Sequence, residues 1–292
     1  MNLPEKDAAD ALITAALLED LGDRGDVTTR HFVPPDALGR ARLFAKQPET
    51  VLSGLEIARR VFERVDPSLR VHLSAADGDS PSPGATVLEV GGRLASILTA
   101  ERTALNFVQH LSGVATLTRR FVHAVQGTSC RILDTRKTTP GWRLLEKAAV
   151  AHGGGTNHRH GLYDGVMVKD NHLVAEHRLP ALRAGIDRVR SAHPGMKIEL
   201  EVDTLEQLDA FLTLDGVDVI LLDNMSLEQL REAVRRRNAT KPSVQLEASG
   251  GVRLDTVRGI AETGVDFVSV GALTHSAPAV DVSLEIRSED PS

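Results

Sequence analysis

Residues 197–223 read K-I-E-L-E-V-D-T-L-E-Q-L-D-A-F-L-T-L-D-G-V-D-V-I-L-L-D. The run falls into three parts. Lys197–Val202 alternates as a strand does, Leu205–Leu214 carries apolar residues at helical spacing, and Val217–Leu222 is almost continuously apolar. Apolar residues on both faces mark a strand covered on both sides, as in parallel sheets with helices packed over them. A strand–helix–strand unit of this size is the crossover that parallel strands need.

The same rhythm extends both ways from this unit. Strands are expected at Arg131–Asp134, Gly165–Val168, Val244–Glu247 and Asp266–Val270, with helices at Trp142–Ala151, Pro180–Ala192, Leu227–Arg237 and Leu254–Thr263. Repeated βα units of this kind predict a barrel or a doubly wound sheet. No glycine-rich dinucleotide fingerprint follows any of the strands, which lowers the doubly wound option.

The first part of the chain has another grain. Helices are expected at Glu5–Glu19 and Leu52–Val65, and short strands at Gly39–Ala45, Leu69–Leu73 and Thr86–Val90, with turns such as Pro81-Ser82-Pro83-Gly84 between them. That pattern suits a small α+β layer. Arg93–Gln126 is apolar at helical spacing throughout. Ser112-Gly113 is expected to break it into two helices, which sets a domain boundary near 114 and leaves residues 115–277 to the βα part. Val280–Ile286 alternates cleanly and is expected to be a half-buried antiparallel strand, so that 278–292 joins the first domain.

Composition narrows the function. The chain has 292 residues, enough for a substantial core, and a formal charge of -6. With only 3% aromatic residues it lacks both the charge and the stacking surfaces of a nucleic-acid binder. The single cysteine, Cys130, excludes a disulfide framework and is expected to pack as a small hydrophobe at a strand start. The N-terminus is polar, and no run of about 18 apolar residues occurs, so the expected compartment is the cytosol.

In βα barrels, chemistry sits at the carboxyl ends of the strands. After the first strand come Thr135, Arg136 and Lys137. The second ends in Lys169, Asp170 and Asn171. Glu199, Glu201 and Asp203 mark the third, and Asp223 the fourth. The last two end in Ser249-Gly250-Gly251 and Val270-Gly271-Ala272. Four successive ends carry charge, and two carry small residues whose amides can approach a phosphate. Glu201 and Asp223, on neighbouring strands, could hold Mg²⁺, bind ribose hydroxyls or stabilise a carbocation. Glu199 is read as an ion pair inside the barrel.

Cations crowd the stretch from Asp134 to His172 of an otherwise acidic chain. Arg143 and Lys147 are expected on a solvated helix face, and His152, His177 and His193 at the surface or in turns. Arg136, Lys137, His158, Arg159 and Lys169 fall at strand ends or in a glycine-rich loop and are the better anion ligands. A zinc site is improbable, because Arg159 separates His158 from His160 and no H-E-x-x-H spacing occurs.

The motifs D-T-R-K-T-T-P-G-W-R, H-G-G-G-T-N-H-R-H-G-L-Y-D, V-K-D-N-H, E-V-D, L-L-D-N-M, E-A-S-G-G and V-S-V-G-A-L-T-H-S occur in this order, after E-R-T-A-L-N-F-V-Q-H-L-S-G-V-A-T. Together they resemble the quinolinate phosphoribosyltransferase family over essentially the whole chain. Gly251 departs from the family, where Asn is common. The resemblance implies an N-terminal α/β sandwich plus an incomplete parallel β/α barrel, and transfer of phosphoribosyl from phosphoribosyl pyrophosphate to quinolinate with release of CO₂ and pyrophosphate. It implies Mg²⁺ as cofactor and a dimer or hexamer with shared sites. By resemblance, Arg136, Lys137, His158, Arg159 and Lys169 line the quinolinate and pyrophosphate pocket, with Thr135 beside them, and Arg102 comes from the neighbouring subunit. Glu201 and Asp223 face the ribose and Mg²⁺, directly or indirectly. Ser249, Gly250, Gly251, Val270, Gly271 and Ala272 cradle the 5-phosphate. The rival readings are a related phosphoribosyltransferase acting on another pyridine or in molybdenum metabolism, and a non-catalytic anion-binding protein.

Overall fold

The computed structural model describes residues 1–169 and 179–288. The chain forms two compact units. One comprises Met1–Arg119, Thr138–Gly154 and Ala272–Ser292, the other Arg120–Lys137 and Gly155–Gly271.

The first unit contains strands β1 (Leu38–Ala45), β2 (Arg70–Leu73), β3 (Thr86–Arg93) and β10 (Val282–Ser288), in the order β10-β1-β3-β2. The alternation of β1 decides its faces: Ala41, Leu43 and Ala45 are buried, while Arg40 and Arg42 are exposed. Leu43 pairs with Leu88 on one side and Leu284 on the other. Helices α1 (Leu3–Leu21) and α3 (Leu55–Val65) accompany the sheet. Asn2 and Glu5 close a reciprocal cap at the start of α1. A short helix α2 (Val27–Phe32), unforeseen in the turn-rich sequence, starts where Asp26 accepts the Thr29 N–H at 2.9 Å.

Helix α4 runs unbroken from Leu94 to Ala124, where two helices were expected. Ser112 and Gly113 serve packing instead. The Ser112 hydroxyl accepts the Ser53 N–H at 2.9 Å and donates to the Ser53 carbonyl at 3.1 Å. A Cβ on Gly113 would stand 2.2 Å from the Pro278 carbonyl oxygen. Glycine is there because another backbone crosses the helix at that point.

Helix α5 (Arg143–His152) corrects a second expectation. Lys147 and Glu146 are fully buried, and Arg143 is half-buried. Glu146 accepts from His110 Nε2 at 2.8 Å and from the Thr139 N–H at 3.0 Å. Arg143 donates to the Thr138 hydroxyl at 3.1 Å, and His152 Nδ1 lies 2.9 Å from the Ser53 hydroxyl. The polar stripe of α5 faces inward because partners for it are already in place. His193 is exposed as expected; His177 lies outside the described residues.

The second unit is a six-stranded parallel sheet: β4 (Arg131–Leu133), β5 (Val166–Val168), β6 (Ile198–Val202), β7 (Val219–Asp223), β8 (Gln245–Ser249) and β9 (Phe267–Ser269), ordered β4-β9-β8-β7-β6-β5. The first strand pairs with the last, and among the described residues β4 and β5 do not pair. This is a barrel order left open at one seam. Helices α6 (Leu179–Ala192), α7 (Leu205–Leu212), α8 (Leu227–Thr240) and α9 (Val257–Ala261) alternate with the strands. Thr204 with Gln207, and Ser226 with Gln229, cap the starts of α7 and α8 reciprocally. Cys130, just before β4, is buried, and burial pushes its thiol up to about 12. Among the described residues, no helix is long and apolar enough to cross a membrane.

Candidate active site

The register of β6 and β7 places the carboxylates. Glu199 pairs with Val219 and Glu201 with Leu221. Asp223, two residues beyond Leu221, therefore shares the face of Glu201 and projects from the strand end. Lys169, just past β5, makes an ion pair with Glu201. A lysine and two acids thus lie at adjacent carboxyl ends.

The next corner is tied by backbone. The Asn224 N–H donates to the Ser249 carbonyl at 2.9 Å, and its carboxamide donates to Asp223 at 2.7 Å. Asn224 has a φ of 52°, a left-handed conformation that asparagine tolerates better than most residues. Gly250 has a φ of 96° and Gly251 a φ of 59°. A Cβ on Gly251 would meet nothing within 4 Å, so its backbone faces open space. On the neighbouring end, the Val270 N–H donates to the Leu133 carbonyl at 2.9 Å and fixes the approach to Gly271. Ser249, Gly250, Gly251, Val270 and Gly271 all belong to the second unit. Ala272 opens a short helix α10 (Ala272–His275) assigned to the first unit.

After β4, the Thr135 hydroxyl accepts the Lys137 N–H at 3.0 Å, turning the chain so that Lys137 is exposed and Arg136 half-buried. Asp134, fully buried, accepts from the Asn157 carboxamide and from the His158 N–H, both at 2.7 Å. Thr156 adds an isolated parallel bridge to Leu133. These bonds hold the segment that carries Arg159. The Arg159 guanidinium donates to the Gly165 carbonyl at 2.9 Å. Burial, then the positive charge of Arg136, lowers its pKa.

The His158 ring turns toward β6 and β8. Its Nε2 lies 3.0 Å from Glu199 and 3.4 Å from Glu247, beside a cavity of about 290 Å³ that is lined also by Arg159, and by Arg131, Lys197 and Phe267 at the amino-terminal side of the sheet. The two carboxylates draw the Nε2 proton against the cost of burial, whereas acceptance at Nδ1 leaves the other ring nitrogen without a proton. Burial and the neighbouring Glu247 raise the pKa of Glu199. The Arg159 N–H donates to Nδ1 at 2.7 Å, so a ring proton resides on Nε2 and the three groups share their protons as one unit. The ligand atoms of His158, Glu199 and Glu247 lie within 4.8 Å of one another. Both ring nitrogens are engaged, Nε2 by the two carboxylates and Nδ1 by the Arg159 N–H.

Sequence reasoning left Asp134, Asn224 and Glu247 without roles. Only Asn224 carried a signal, an asparagine directly after a strand-terminal aspartate. Arg102 is exposed on α4 in the first unit. Asp170, Asn171 and His172 lie outside the described residues.

Parallel strands whose carboxyl ends carry a lysine–carboxylate pair, a second carboxylate and open glycine backbone form the candidate site of an enzyme that handles charged substrates. The family models "Quinolinate phosphoribosyl transferase, N-terminal domain" and "Quinolinate phosphoribosyl transferase, C-terminal domain" match residues 26–112 and 114–285. The chain belongs to the quinolinate phosphoribosyltransferase family. It is 44% identical over 285 residues to a nicotinate-nucleotide pyrophosphorylase (carboxylating) of Mycobacterium leprae, covering 97% of this chain and 98% of that one. The solved nicotinate-nucleotide pyrophosphorylase of Ehrlichia chaffeensis is similar, with 37% identity and a TM-score of 0.86 over 95% of this chain and 98% of that one. That of Francisella tularensis has 34% identity and a TM-score of 0.89 over 96% of each.

Proposed function

We propose that this chain joins quinolinate to phosphoribosyl pyrophosphate, giving nicotinate mononucleotide, CO₂ and pyrophosphate, the reaction that feeds NAD synthesis. The observation that carries it is the Lys169–Glu201 pair with Asp223 on the same face. A pure anion receptor gains nothing from carboxylates in its site, whereas a reaction that builds positive charge on a ribose needs them.

The steps follow from charge. As the C1′–O bond to pyrophosphate breaks, the ribose ring becomes cationic, and Glu201 and Asp223 stabilise it. Lys137 and Lys169 neutralise the departing pyrophosphate. The pyridine nitrogen bonds to C1′ and becomes cationic. The ring then accepts the electron pair of the adjacent C–C bond as that carboxylate leaves as CO₂, and a proton from solvent fills the carbon. Arg136 and Arg159 hold the two carboxylates, and the backbone of Ser249, Gly250, Gly251, Val270, Gly271 and Ala272 receives the 5-phosphate. Positioning does much of this work.

Glu201 and Asp223 are hard oxygen donors and fit Mg²⁺, bound directly or through water and the pyrophosphate. When bound, the ion supplies charge neutralisation for the leaving group. The site is completed by Arg102 of a second copy in a homo-oligomer, a reading supported by its exposure on α4.

The test is direct. Purified protein with quinolinate, phosphoribosyl pyrophosphate and Mg²⁺ yields CO₂ and nicotinate mononucleotide in equal amounts. Turnover of nicotinate without CO₂ release selects the related-transferase reading, and binding without pyrophosphate release selects the non-catalytic one.

A further inference from the structure

The mechanism above leaves one buried cluster unused: His158, Glu199 and Glu247. Three observations bear on what it does. First, the segment that carries Arg159 comes after α5 and before β5, where the sheet lacks a strand pairing. Its ties to β4 run through Thr156 and through Asp134, and the His158 ring reaches past them to β6 and β8. Second, the ring is bonded at both nitrogens. Nε2 faces the two glutamates, and Nδ1 accepts the backbone N–H of Arg159 at 2.7 Å. The orientation of the ring therefore sets the position of the Arg159 backbone, while the Arg159 stem packs on Gly165, whose added Cβ would come within 3.3 Å of it.

Third, the cluster is costly. Glu199 Oε1 and Glu247 Oε1 are buried without a hydrogen-bond partner. Burying an acceptor without a partner is unfavourable, and apolar residues of similar volume often serve stability better than buried ions. Two acids kept on those terms point to geometry rather than to stability.

We propose that Glu199 and Glu247 are positioning residues for the transfer reaction: by clamping the His158 ring between β6 and β8 they fix where the Arg159 guanidinium meets its dianionic substrate. The proposal rests on the functional reading above and adds a residue pair that touches no substrate. It also gives His158 a role as the coupling element. The other charged groups facing the cluster are Arg131 from β4, Lys197 before β6, and Arg159, His160 and Asp164 of its own segment.

The experiment uses Glu199→Gln and Glu247→Gln in the full chain, each alone and combined with Arg159→Lys. Glutamine keeps the shape and removes the charge. The expected result is a KM for quinolinate raised about 10-fold, with KM for phosphoribosyl pyrophosphate within about twofold. In the Arg159→Lys background the same change shrinks to about twofold, because its route of action is already broken. Both KM values rising together, effects that multiply with Arg159→Lys, or unchanged quinolinate KM in both single variants overturns the proposal. If one variant fails to fold, the other decides, and calorimetric binding of quinolinate at low temperature replaces turnover. Wild-type protein that makes no nicotinate mononucleotide defeats the functional reading; active wild type with indifferent variants defeats only the clamp.

Discussion

The carboxamide oxygen of Asn224 stands 2.1 Å from the point that a Cβ on Gly250 would occupy. The end of β7 and the end of β8 are thus interlocked, and glycine is required at 250 by contact as well as by its φ of 96°. Gly250→Ala is expected to displace Asn224 and, with it, Asp223. KM for phosphoribosyl pyrophosphate should rise by at least about 10-fold with quinolinate binding retained. Steady-state kinetics with each substrate varied would show it, and a normal KM would remove Gly250 from the phosphate corner.

Lys137→Ala and Arg159→Ala should cripple quinolinate use, with kcat/KM down by roughly 100-fold, while thermal melting stays near wild type. Neither side chain is deeply buried, so loss of fold is not the expected cause. Unchanged turnover in either variant would sink the anion-pocket assignment.

Mixing Arg102→Ala subunits with Lys169→Ala subunits tests the shared site. Each homo-oligomer should be inactive. Mixed oligomers should regain activity at the one site that has both native residues. Absence of rescue, with mixed oligomers verified by mass, counts against donation of Arg102 between copies.

Gly113→Ala touches no group assigned to chemistry. Its new methyl would meet the Pro278 carbonyl oxygen at 2.2 Å, so backbone has to move. A loss of about 2–3 kcal/mol of unfolding free energy is expected by urea titration. A stability within experimental error of wild type would mean that the crossing backbone yields freely.

Asp66 supplies a pH signature. It accepts from the Ser68 hydroxyl and N–H and from the Ser96 hydroxyl, with Arg93 at 3.1 Å, and these bonds, that of the Ser68 hydroxyl foremost, hold its pKa at about 2. A depressed carboxyl pKa stabilises the fold fully above the unfolded value near 4, and the contribution fades as pH falls from about 4 to 2. Asp66→Asn should remove about 2 kcal/mol of the stability difference between pH 6 and pH 2, as read from denaturant melts at the two pH values.

Much of the second unit was legible because strands covered on both faces are written as apolar runs, and β6, β7 and β9 lie inside or within a residue of their expected ranges. The placement of Lys169, Glu201 and Asp223 at neighbouring strand ends was legible as well. Burial of polar groups was not. Arg143 and Lys147 read as a solvated face because helical spacing says which residues share a side, not which side meets partners such as the Thr138 hydroxyl. Gly113 read as a break because a glycine that admits another backbone looks the same in sequence as one that ends a helix. That His158 meets Glu199 and Glu247 was not legible, because those partners come from strands far along the chain.

The pairing of β10 with β1 also bears on how the molecule is made. Leu43 and Leu284 are neighbours in one sheet although nearly the whole sequence separates them. During synthesis, β1 leaves the ribosome long before its partner exists, and its edge stays open until residues 282–288 arrive. The strands of the second unit end at Ser269 and can assemble earlier. Closing so long a loop is slow, and an unpaired edge invites association with other chains. Completion of the first sheet is therefore the late event of biogenesis, and the interval before it is when nascent copies are most exposed to mispairing.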